Sequence, residues 1–174
     1  MHCVYTIIVS RMSQAVGVYL HIPFCRSKCA YCDFNSFAKL EGLIPDYVSA
    51  LAREVELWGD QGLIAATMYL GGGTPSLLPV EGLARLLAAA GRHLALDSRA
   101  EVSLEANPGT VDWAWLEAAR RLGVNRLSLG VQSFSDDELR LLGRIHSAAD
   151  AREAVAVARQ AGPGSTAKSS GSKW

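Results

Sequence analysis

The sequence carries no excess of charge of either sign: 17 lysines and arginines stand against 17 aspartates and glutamates in 174 residues. That balance gives no support to a binder of nucleic acid or other polyanions. No apolar run approaches the roughly 18 residues that would span a bilayer, so no transmembrane segment is expected, while peripheral membrane contact stays open. The apolar stretch Val4 to Val9 lacks a basic segment before it and an A-x-A-like site after it, so it does not read as a secretory leader. Met12 is an alternative start, which would make residues 1–11 an upstream extension. Cysteine is scarce as well: there are four, and three of them fall between positions 25 and 32. The scattered pairs that staple small secreted folds are missing, and neighbours this close would form only tiny, strained rings. A reducing compartment, the cytoplasm, follows. What is present, 49% hydrophobic and 20% charged residues, suits one globular domain with a real core.

Strand-like and helix-like runs alternate. Strands are expected at Val18–Ile22, Ala66–Leu70, Glu101–Glu105 and Arg126–Val131. Apolar stripes at helical spacing fall on 46–58, 83–94 and 111–122, the last with Gly123 as its C-cap. Ser135-Asp136-Asp137-Glu138 has the pattern of a capping box and predicts a helix start. A further helix is expected from Ala149 to Gln160, ended by Gly162. In the third helix Trp113 is expected in the core and Trp115 partly exposed. The order βαβαβαβα with short connections predicts an α/β fold with a parallel sheet. The third and fourth strands alternate apolar residues with Glu101, Ser103, Glu105 and Ser128, Gly130, Gln132. Parallel strands covered on both faces read as continuous apolar runs. One polar face suggests a barrel or part-barrel around a polar lumen, with helices outside. From Pro163 the chain turns small and polar, reads as disordered, and begins where a fifth strand is expected, so the chain reads as a fragment. The division expected is an extension at 1–16, a core domain at 17–162 and a tail at 163–174.

Every unusual residue lies at the carboxyl end of an expected strand, where parallel α/β folds build their sites. Cys25, Cys29 and Cys32 follow the first strand with the spacing C-x3-C-x2-C. Three close thiolates can hold one metal centre and leave one metal position open. That favours an iron–sulfur cluster. Zinc would need a fourth ligand from Cys3 or His21, and free thiols are the third reading. Gly71-Gly72-Gly73-Thr74-Pro75 ends the second strand, and three glycines permit positive φ and close approach of a ligand, or are simply a flexible turn. Glu105 faces the lumen, where it meets a cationic ligand group or pairs with an arginine. Gln132 offers a donor and an acceptor suited to a ribose or a carboxylate. Arg144 either clamps a carboxylate bidentately or sits solvated at a helix end.

The cysteine spacing, with Tyr31 before the last cysteine, resembles the radical S-adenosylmethionine superfamily. Six segments narrow the likeness: Tyr19–Cys25, Cys32–Ser36, Gly71–Ser76, Glu105–Thr110, Gly130–Phe134 and Leu142–His146. They are similar to the oxygen-independent coproporphyrinogen oxidase-like group, and within it nearest to the HemW-type heme chaperones. The resemblance covers about residues 17–162. It implies a partial (β/α) radical SAM barrel of about four βα units. It implies a 4Fe–4S cluster on Cys25, Cys29 and Cys32, with S-adenosylmethionine chelating the open iron. Tyr19, Tyr31, Gly72, Gly73, Thr74, Glu105, Gln132 and Arg144 would line the cofactor site. The glycine loop would meet the methionyl amino group and Gln132 the adenosyl moiety. One electron from the cluster would then cleave the sulfonium bond, and in the true oxidases the resulting radical leads to loss of two propionate carboxyls. Those oxidases carry another cysteine two residues after the third. Here Asp33-Phe34 stands there, as in the chaperone group, which binds heme and passes it to acceptor proteins. Heme or porphyrin is therefore the expected cargo, with a decarboxylating oxidase and a non-functional fragment as the alternatives. Family members run to about twice this length, and a cofactor-contacting aspartate on their fifth strand has no counterpart in the tail.

Overall fold

The computed structural model describes residues 7–12, 15–59 and 63–161. Cys3, Gly162 and the tail expected from Pro163 lie outside them.

Seven strands occur along the described chain: β1 (Ile7–Met12), β2 (Ala15–Ile22), β3 (Phe24–Cys25), β4 (Phe37–Ala38), β5 (Ile64–Gly72), β6 (Glu101–Ala106) and β7 (Arg126–Leu129). Five of them form one sheet in the order β1-β2-β5-β6-β7, and the short β3 and β4 pair with each other beside it. The last four strands of the sheet are parallel, as the βα alternation requires. Strand β1 goes beyond the sequence expectation. Residues 7–12 lie within the expected extension, yet they run antiparallel to β2, with Met12 opposite Ala15 and Ile7 opposite Leu20. A hairpin partner there saturates an edge of β2 that would otherwise be left bare.

Register explains the two faces. Leu20, Leu70, Leu104 and Leu127 sit opposite one another across the four parallel strands, and all four are buried. The neighbouring rung is Tyr19, Tyr69, Ser103 and Arg126. Side chains alternate along a strand, so the leucine rung faces the helices and the tyrosine rung faces away. The helices are α1 (Ile44–Gly59), α2 (Val80–His93), α3 (Trp113–Arg121), α4 (Asp136–Leu141) and α5 (Ala148–Gln160). Val48, Leu51 and Val55 of α1, Leu83, Leu86 and Ala90 of α2, Leu116 of α3 and Ala151 and Ala154 of α5 join the strand residues in one core.

Helix ends carry their own chemistry. Asp112 caps α3 by accepting from the Trp115 N–H at 2.8 Å. Gly123, at φ +107°, closes it as expected, with Val124 N–H on Ala119 O and Gly123 N–H on Arg120 O. The capping box is displaced from its expected place. Ser135 does precede α4, but its side chain makes no cap bond. The carboxylate of Glu138 is drawn away to the hydroxyl of Ser133. The reciprocal box forms instead at Ser147 and Asp150, at the start of α5. Trp113 departs from its expected place in the core, and Trp115 is partly exposed as expected. Trp113 is 47% exposed, on the flank of Glu117 and Arg120, whereas Trp115 packs against the core and donates its indole N–H to Leu78 O at 3.0 Å.

Candidate functional site

The cysteines leave the sheet where β2 ends. Cys25 is in β3 and buried; Cys29 and Cys32 are half-buried in the loop that follows. Pairing of β3 with β4, with Phe37 N–H on Pro23 O at 2.7 Å, closes that loop at its base. Cys32 N–H turns back onto Cys29 O at 3.1 Å. Arg26 reaches Gly109 O at 2.9 Å and ties the loop to the turn after β6.

The glycine run serves the chain's own packing. A Cβ on Gly71 would stand 2.5 Å from the Tyr69 ring, one on Gly72 2.4 Å from the His21 ring, and one on Gly73 2.6 Å from Phe24 O. Gly72 also takes φ +110°, which suits glycine alone. The close approach expected from the sequence is thus, on the Cβ side, an approach to His21 and to the backbone of the cysteine loop. Gly73 N–H and Thr74 N–H bind Ile22 O and Phe24 O at 2.8 and 2.7 Å. These bonds fasten the glycine loop to the base of the cysteine loop.

Glu105 has no arginine partner among the described residues. One carboxylate oxygen accepts from the Tyr69 hydroxyl at 2.6 Å and the other from the Gly72 N–H at 3.0 Å. Burial, then the bond to Glu105 and its charge, raise the pKa of Tyr69 above the usual phenol range. Tyr19 stacks on Tyr69 with ring centroids 5.9 Å apart, and burial reinforced by Glu105 pushes its pKa up to about 12. Tyr19 donates to His21 Nδ1 at 3.0 Å, while His21 Nε2 donates to Asn35 O at 2.7 Å. One tautomer satisfies both bonds. His21 is therefore a hydrogen-bonded histidine of the polar face, with neither nitrogen left for a metal.

Arg144 is placed by the end of α4. Gly143 adopts φ +68°, Gly143 N–H binds Arg140 O, and Arg144 N–H binds Leu139 O. That is a Schellman closure, which leaves Arg144 as the first side chain past the turn. It is not solvated. One terminal nitrogen donates to Cys29 Sγ at 3.4 Å; the other donates to Asn107 Oδ1 at 2.6 Å and Gly130 O at 2.7 Å. Its Nε is buried without a partner. Thr74, itself buried, donates its hydroxyl to Cys25 Sγ at 3.6 Å. Tyr31 is 45% exposed beside this group. Burial raises its pKa, the Arg144 guanidinium opposes that rise, and Cys29 adds to it. Gln132 stands after β7 at φ +66°, a conformation its neighbourhood must enforce.

A small open cleft lies over these groups, lined by Cys29, Thr74, Asn107 and Arg144 with Arg26 and Thr110. Tyr19, Gly72 and Glu105 form the adjoining network on the polar face. Among the described residues no three His, Cys, Asp or Glu side chains converge on one point as a single metal ion requires. A cluster of several irons does not need that convergence, because each thiolate binds its own iron. Hydrogen-bond donors on two of the sulfurs, and the orphaned Arg144 Nε beside the cleft, fit an anionic cluster and a ligand bearing a carboxylate. Asn107 and Tyr69 are additions to the residues expected from the sequence. The alternation that exposes Glu105 also places Tyr69 on the polar face, so Tyr69 is within reach of that signal.

The model of the Radical SAM superfamily matches residues 19–168. The heme chaperone HemW of Synechocystis is 44% identical over 151 residues, 83% of this chain and 37% of that protein. The heme chaperone HemW of Escherichia coli is 45% identical over 147 residues, 82% of this chain and 39% of that protein. The mitochondrial radical S-adenosyl methionine domain-containing protein 1 of Mus musculus is 40% identical over 87% of this chain and 35% of its own length. Among solved structures, the coproporphyrinogen III oxidase HemN of Escherichia coli, a radical SAM enzyme, superposes with a TM-score of 0.77 at 30% identity, covering 83% of this chain and 34% of that one. The chain thus spans less than two fifths of the length of these relatives. With the family model matching most of its length, this chain belongs to the radical SAM superfamily.

Proposed function

We propose that this chain is the cluster- and nucleotide-binding part of a heme chaperone. Cys25, Cys29 and Cys32 would hold a 4Fe–4S cluster, and the cleft beside them would seat S-adenosylmethionine. The observation that carries this reading is 44–45% identity to two heme chaperones over 82–83% of this chain. Together the cluster and the sulfonium nucleotide supply one-electron cleavage of a carbon–sulfur bond.

Arg144, which lines the cleft, would meet the carboxylate of the nucleotide. Glu105 holds the glycine loop through the Gly72 N–H, so Gly72 and Gly73 would present carbonyls, not Cβ-side space, to the methionyl amino group. Tyr19, Tyr31 and Thr74 would wall the site, and Gln132 would take the adenosyl moiety. Heme is the expected cargo. The core domain expected over 17–162 would begin earlier, with β1 and the start of β2 in its sheet, and would lie in the cytoplasm. No described helix is long and apolar enough to cross a membrane.

The structural likeness to HemN favours a second reading, oxidative decarboxylation of coproporphyrinogen III. Asp33-Phe34, where the sequence resemblance places a cysteine in such oxidases, argues against it. Anaerobic incubation of the reconstituted chain with coproporphyrinogen and with hemin separates them. A saturable Soret shift without protoporphyrinogen supports the chaperone; protoporphyrinogen formation would replace it with the oxidase.

A further inference from the structure

We propose that Asn107 is a positioning residue for the metal centre, setting hydrogen-bond donors on two of its three thiolates and so raising its reduction potential. The proposal rests on the cluster reading above. Arg144 can only donate, so the Asn107 atom 2.6 Å from it is the carbonyl Oδ1. That leaves Asn107 Nδ2 to donate to Thr74 Oγ1, at 3.0 Å. With Thr74 Oγ1 accepting there, its own proton is directed to Cys25 Sγ, 3.6 Å away. Thr74 is 3% exposed, so little water competes for that proton. On the other side, Asn107 and Gly130 O hold one terminal nitrogen of Arg144 while the second reaches Cys29 Sγ at 3.4 Å. One amide thus orients both donors.

The surrounding backbone is shaped to hold this amide. Gly130 has no side chain, and a Cβ there would stand 2.5 Å from Asn107 Oδ1. The turn beyond also fixes it: Thr110 N–H and Oγ1 both bind Asn107 O, at 3.1 and 2.6 Å. Donors to ligand sulfurs spread the thiolate charge and favour the reduced, more negative cluster.

The test is a redox titration of the anaerobically reconstituted full chain, followed by the spectrum of the cluster. Asn107→Ala and Thr74→Val should each lower the potential. A hydrogen bond to a charged group corresponds to about a tenfold change in the ratio of oxidised to reduced cluster, or ~59 mV for one electron. Thr74→Ser should keep the wild-type potential, and the double variant should shift by less than the sum, because the two residues share one chain of bonds. If Asn107→Ala does not fold, Thr74→Val against Thr74→Ser carries the test. Wild-type potential in Thr74→Val with an intact cluster would overturn the proposal. A wild-type chain that takes up no cluster would overturn it together with the functional reading.

Discussion

The two faces of the sheet are built from the same strands and do opposite things. Toward the helices, Leu20, Leu70, Leu104 and Leu127 make an unbroken apolar rung. One residue earlier in each strand stand Tyr19, Tyr69, Ser103 and Arg126. The first rung makes contacts that any well-packed α/β core makes. The second leads into directed hydrogen bonds: Tyr69 with Glu105, Glu105 with Gly72, Tyr19 with His21. Dispersion and hydrophobic burial are non-directional and tolerate exchange of shape for shape. A polar network fails when one member is lost, because the remaining groups stay desolvated. Stability should therefore be seated in one face and cofactor chemistry in the other.

That separation can be broken or sharpened by substitution and by pH. The largest effect is expected at the rim: Cys29→Ala should reduce bound iron to background after reconstitution, while circular dichroism and the unfolding midpoint of the metal-free chain stay near wild type. Leu104→Ala should cost about 2–5 kcal/mol in chemical denaturation, with full iron content in the folded fraction; loss of iron there without loss of stability would break the division. Alkali should act on the polar face. Tyr19 and Tyr69 have raised pKa values in the folded chain, so their contribution is complete below pH 10 and is lost as the pH rises from 10 through about 12, the Tyr19 value. Tyr19→Phe should reduce that alkaline slope, and Leu104→Ala should leave it unchanged. The smallest effect is at the start of α3: Asp112→Ala should cost about 1 kcal/mol in chemical denaturation by loss of a cap.

Much of this arrangement is legible in the amino-acid sequence. The four parallel strands declare themselves because a half-polar strand alternates with period two, and the rim follows because turn residues mark strand ends. Arg144 is legible only as a carboxylate clamp or a solvated helix-end residue, and the Schellman closure that turns it inward appears in the structure. Strand β1 is not, because pairing to β2 depends on its partner and not on its own composition. The capping box expected at Ser135 does not form, with Glu138 bound to Ser133, a competition that the S-x-x-E spacing does not contain; Ser147 and Asp150 form one at the next helix. Trp113 leaves its expected place in the core because the apolar arc of α3 is centred on Leu116 and Ala119, and the first helical residue lies off it. The relay through Asn107 joins it to Thr74 and Arg144, 33 and 37 positions away, so no local window carries it.

The chemistry of the rim depends on the three cysteines binding a cluster with an open position. Iron, zinc and acid-labile sulfide should be counted in the anaerobically reconstituted chain, with the spectrum of the reduced centre recorded before and after S-adenosylmethionine is added. About four irons and four sulfides per chain are expected, with a spectrum that changes on addition of the nucleotide. One zinc without sulfide, or a cluster indifferent to the nucleotide, would contradict it.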